Sequence, residues 1–142
     1  MTSHRHAAAI VAAARSCVGT RFRVQGRLPG VGLDCIGVAL VAAAAVGVRA
    51  VTPRYTLGGD GEAALDVALV ALGCVVVAIP QPGDLLVAAP AAGRRHLGIV
   101  TPGGLVHAHA GLRRVVEAPV DPGWAIVAAW RFPDDRSGNQ EG

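Results

Sequence analysis

The residues after Gly73 follow a different grammar from those before it, and this break constrains the fold of the 142-residue chain more than any other feature. Upstream lie three Ala-rich runs of helical length: His6–Cys17, residues 34–46 and Glu62–Leu72. Gly19 and Gly47 stop the first two, and Asp34 is placed as the N-cap of the second. Glu62 falls in the first turn of the third, where the helix dipole favours an acid. Residues 19–33 are a glycine-punctuated loop, Thr52-Pro53 begins a linker, and Leu57–Gly61 is a second break. Downstream, short β-branched runs alternate with Pro/Gly turns: Cys74–Ile79, Asp84–Ala89, His96–Thr101, Leu105–His109, Leu112–Glu117 and Ala125–Phe132. Helices first and strands second predict an α+β fold, with N-terminal helices packed on a C-terminal antiparallel sheet.

The length suits one domain, placed at residues 1–133, with the polar stretch 134–142 read as a disordered tail. An apolar content of 52% excludes a disordered chain, and aromatics at 4% mean that small side chains must build the core. The opening MTSHRHAAAIVAAA superficially resembles a signal peptide, but it is Ala-rich and soon interrupted by Arg15. It reads instead as a helix capped by Thr2 or Ser3, with no export signal. Ile36–Val48 is too short to cross a membrane and Ala63–Ile79 carries Asp66, so no span is expected. Every one of the 13 basic residues is Arg; residues 1–54 carry seven against one acid, and residues 55–142 six against nine. The basic N-terminal half could face an acidic polymer, nucleic acid or an anionic cell-wall peptide, but scattered solvated arginines are the simpler reading. Arg21, Arg23 and Arg27 alternate without forming a contiguous or aromatic-interleaved patch, so nucleic acid is not the expected partner.

Chemistry-bearing residues are few. The three cysteines, Cys17, Cys35 and Cys74, form no CxxC pair, which leaves neither a zinc knuckle nor a thioredoxin-type motif; three independent thiols are the simplest reading. Cys17 ends an Ala-rich helix and Cys74 opens a Val-rich strand, so both read as buried filler. Cys35 follows the expected N-cap at the start of an apolar helix. There the dipole and unpaired N–H groups favour a thiolate, and Gly30, Gly32 and Gly37 leave room for a substrate backbone. A nucleophilic Cys needs a neutral His and a third group to orient it. His96 and His107 lie on consecutive strands joined by Pro-Gly-Gly and can sit side by side. His109 shares the face of His107 and is the weaker choice on pattern.

The segments GTRFRVQGRLPGVGLDCIG, PQPGDLL and RRHLGIVTPGGLVHAHAG together resemble the NlpC/P60 family of papain-like cysteine peptidases, in its phage-tail and gene-transfer-agent branch. The likeness runs over residues 7–133, with little carried by 48–79. It implies a papain-like core with Cys35 as nucleophile, His96 as general base and His107 as the residue polarising His96. It also implies hydrolysis of peptidoglycan stem peptides, and Asp34 beside the nucleophile as a contact for a substrate amino group as well as an N-cap. No cofactor and no metal are implied. The partners would be tail-tip, hub or baseplate proteins, for a chain made in the bacterial cytoplasm and assembled into a phage-like tail.

One departure from the family pattern bears on activity. G-T-P-Y is replaced by Gly19-Thr20-Arg21-Phe22, so the hydroxyl near the catalytic cysteine is missing at Phe22. The loss of that polar partner is worth on the order of 1–3 kcal/mol in the transition state if nothing replaces it. Arg21 is the neighbouring charge that could compensate. The alternative is a weak or silent structural domain of a tail tip or baseplate. A metal site of Cys35, His96 and His107 is a third reading.

Overall fold

The computed structural model describes residues 4–48 and 61–133. Helix α1 (His4–Ser16) buries His6, Ile10 and Ala14, with Cys17 just beyond its end, spaced three or four apart so that they share one face. Helix α2 (Cys35–Ala44) is apolar throughout and buries residues on nearly every side, as befits a central helix lying against both α1 and the sheet. Helix α3 (Gly61–Ala71) adds Leu65 and Leu69 to the same core. Helices α2 and α3 end alike. Gly47 (φ 76°) and Gly73 (φ 82°) reverse the chain, and the next N–H reaches back to the last turn: Val48 to Ala43 O at 3.0 Å, Cys74 to Leu69 O at 3.1 Å.

The loop expected over residues 19–33 contains a short antiparallel ribbon, β1 (Arg27–Leu28) with β2 (Gly32–Leu33). Two-residue strands give too little alternation to show in sequence. The ribbon presses on α2 so closely that a Cβ at Gly37 would lie 2.2 Å from the Gly26 carbonyl oxygen. Glycine at position 37 is therefore a packing requirement.

Strands β3 (Val75–Val77), β4 (Leu85–Ala89), β5 (His96–Thr101), β6 (Gly104–His109), β7 (Arg114–Ala118) and β8 (Ala125–Arg131) form one antiparallel sheet in the order β3-β8-β4-β5-β6-β7. The expected six strands and their position after the helices match this architecture, which is α+β. Alternation divides the sheet's residues. Leu85, Val87, Leu97, Ile99, Val106, Ala108 and Val115 join the helices in the main core, while Leu86, Leu105 and Ala129 form a second cluster with Trp124. The PQPGD segment serves the sheet itself, because the buried carboxylate of Asp84 takes Arg131 Nε at 2.9 Å and its terminal nitrogen at 2.8 Å, which ties β8 beside β4.

The expected N-cap at Thr2 or Ser3, the linker at Thr52-Pro53, nearly all of the Leu57–Gly61 break and the tail 134–142 lie outside the described residues. Among the described residues no helix is long and apolar enough to cross a membrane.

Candidate active site

Asp34 sets where α2 begins. Its backbone is extended (φ −109°, ψ −171°), and Oδ1 accepts the Gly37 N–H at 2.8 Å. The same oxygen takes Arg27 at 2.8 Å, and Oδ2 takes the Gln25 N–H at 2.7 Å. This fully buried carboxylate thus joins helix, ribbon and loop. Cys35, the next residue, opens the helix and is 2% exposed.

That setting overturns the expectation of a resting thiolate. Burial first, and the neighbouring Asp34 carboxylate second, push the Cys35 thiol up to about 12; the N–H groups of Leu97, Ile36 and Cys35 oppose the shift without cancelling it. A helix N-terminus contributes about 0.3–1 kcal/mol to an exposed anion. Desolvation of a fully buried anion outweighs it, and the capping acid adds repulsion. Cys35 rests as a thiol.

Strands β5 and β6 pair Ile99 with Val106, and counting by twos from that register puts His96, His107 and His109 on one face. His96 Nε2 and His107 Nδ1 are 2.7 Å apart, with the rings nearly perpendicular at 87°. Trp124, from the turn before β8, stands edge-on to both at centroid distances of 5.2 and 5.5 Å. Desolvation, with His107 and His109 adding to it, lowers His96 to about 3; desolvation and then His109 lower His107 to about 4. Both rings are neutral near pH 7. When the shared proton sits on His96 Nε2 and is donated to His107 Nδ1, His96 Nδ1 becomes the basic atom. His109 Nδ1 accepts the Leu112 N–H at 3.1 Å, and its ring centroid lies 5.6 Å from that of His107.

Cys35, His96, His107, Phe22 and Trp124 line one cavity of about 220 Å³. No hydrogen bond among the described residues joins the thiol to His96; the sulfur lies against the Leu97 amide instead. Phe22 borders the cavity with a bare ring and is held by its N–H to Arg113 O at 2.9 Å. Arg21 lines an adjoining cavity and not this one. Asp34 lines neither and lies beneath, so its observed contacts are those of a cap and ion-pair partner. Trp124 and His109 also stand in the wall, with Arg94 and Arg95 at its edge. Trp124 carried a signal in the sequence, as one of only two tryptophans, set in a Pro-Gly turn. Among the described residues no three His, Cys, Asp or Glu side chains are grouped to hold a metal ion.

No protein-family model and no curated protein matches the chain. Solved structures do. NlpC2 of Trichomonas vaginalis superposes with a TM-score of 0.63 at 14% identity, over 93% of this chain and 48% of that one. NlpC1 of the same organism gives 0.63 at 14%, over 90% and 44%. The P60 domain of an M. avium subspecies paratuberculosis antigen gives 0.55 at 18%, over 90% of this chain and 94% of that one. The chain therefore spans about half the length of the two Trichomonas proteins, and shares the fold of NlpC/P60 domains.

Proposed function

We propose that this chain is a cysteine peptidase that cleaves peptidoglycan stem peptides. The observation that carries the reading is a cysteine at a helix N-terminus sharing one small cavity with a hydrogen-bonded histidine pair. In this reading Cys35 is the nucleophile, His96 the base and His107 the group that fixes the ring and tautomer of His96. The resting state is a thiol beside a neutral imidazole, so proton transfer from Sγ to His96 Nδ1 accompanies attack on the scissile carbonyl, after the sulfur turns from the Leu97 amide. The Cys35 N–H, which has no carbonyl four residues back within the helix, is the donor proposed for the tetrahedral oxyanion. Collapse breaks the C–N bond, the imidazolium protonates the leaving amine, and a thioester remains on Cys35. Water deprotonated by His96 then releases the acid and restores the thiol.

The experiment is incubation of the purified protein with sacculi or a stem peptide, beside Cys35→Ala, with new amino groups counted. Release by the native protein alone is expected. Equal release by both, or none by either, contradicts the reading. The absent hydroxyl at Phe22 and the lack, among the described residues, of a hydrogen bond from the thiol to His96 favour a second reading, a silent structural domain of a tail tip or baseplate, which no release would leave standing. Assembly of the chain, made in the bacterial cytoplasm, into a phage-like tail with hub or baseplate partners rests on the sequence resemblance. It is tested by whether the chain co-purifies with released particles.

A further inference from the structure

The candidate cleft is charged in one sense only. Its two cavities, about 220 and about 600 Å³, share Phe22 and Ala110 and so make one groove. Arg94 and Arg95 line the Cys–His end, Arg21 and Arg113 line the other, and no acidic residue among those described lines either. Acids near these segments are engaged elsewhere. Asp34 holds Arg27, Gln25 and Gly37; Asp121 accepts the Gly123 N–H at 2.8 Å; Glu117 holds Arg15 and Thr101. Arg113 keeps its place at a backbone cost. Its φ of 60° is a left-handed conformation that residues with a side chain rarely adopt. Its carbonyl takes the Phe22 N–H, which ties the arginine-bearing turn to the cavity wall.

We propose that this groove selects its peptide by free carboxylates on both sides of the scissile bond and does not read a free amino terminus. The proposal rests on the peptidase reading. A guanidinium fork matches a carboxylate with two parallel hydrogen bonds, so Arg94 takes a carboxylate on one side and Arg21 with Arg113 takes one on the other. An ammonium group would find no carboxylate partner among the described lining residues, because Asp34, the acid beside the nucleophile, is fully buried.

The test uses the Cys35→Ala protein, which reports binding without turnover, and calorimetry with three forms of one acidic stem peptide: unmodified, carboxylate-amidated and N-acetylated. Amidation is expected to weaken binding about tenfold or more, and acetylation less than about twofold. Arg94→Gln and Arg113→Asn (Asn tolerates the left-handed backbone) should each shrink the amidation penalty at least about threefold. Equal affinity for the amidated peptide, a tenfold loss on acetylation, or no binding of any form would overturn the proposal. So would displacement of the peptide by an equimolar short oligonucleotide. Native protein that cleaves amidated and free-acid peptides equally sinks the carboxylate selection and leaves the peptidase reading intact. Selective binding without cleavage does the reverse.

Discussion

At the scale of single residues, the site is governed by burial. The sequence places Cys35 at a helix start and argues for a thiolate; the folded chain buries it beside Asp34 and keeps the proton on sulfur. Removing the Asp34 charge while keeping a capping oxygen should reverse part of this. Asp34→Asn is expected to alkylate faster than the native protein at Cys35 between about pH 7 and 9, read as iodoacetamide incorporation against pH. Equal rates would show that the acid does not bear on the thiol. Trp124 acts on the other partner by keeping water from the histidine pair. In Trp124→Ala the His96 titration, followed by NMR of its ring proton, should rise from about 3 toward the ordinary histidine range. An unmoved titration would assign the shift to the sheet alone.

Elements are placed by contacts of very different visibility in sequence. The helix and strand runs, the Asp34 cap and the glycine stops were legible because each is a local pattern of a few residues. The β1–β2 ribbon was not, since its position depends on Gly26 and Gly37 meeting across the chain. Gly37→Ala is expected to lower stability by about 1–3 kcal/mol, read by chemical denaturation, because the helix can admit the methyl only by shifting the ribbon. Unchanged stability would mean that the contact is loose. The pairing of His96 with His107 followed from strand register and was legible. The contact between the Cys35 sulfur and the Leu97 amide was not, because the two residues are distant in sequence.

For the whole molecule, the order of helices before strands was enough to give the α+β architecture, because antiparallel strands joined by short turns must lie together. The groove charge was only half visible. The basic bias of the N-terminal half contains Arg21, but Arg94 and Arg113 come from the acidic half and reach the groove through the fold. The neutral histidine pair also makes global stability depend on pH. Below an ordinary histidine value of 6.5, the unfolded chain binds protons that buried His96 and His107 refuse until about 3 and 4. Their contribution is therefore complete above about pH 6.5 and is lost as acid is added through that window. The denaturation midpoint should fall from about pH 7 to about pH 4.5, and His107→Gln should flatten that fall; a native midpoint independent of pH would contradict the buried, neutral pair.

The claim that joins these scales is that one thiol out of three has a histidine-assisted reaction to perform. All three cysteines are free and buried, so burial alone does not tell them apart. The most direct measurement is mass-spectrometric mapping of the labelling site of a stem peptide that carries an electrophilic ketone in place of its scissile amide. A single adduct on Cys35 is expected, formed at least about a hundredfold more slowly in His96→Ala. Labelling of Cys17 or Cys74 instead, or an equal rate on Cys35 without His96, would contradict it.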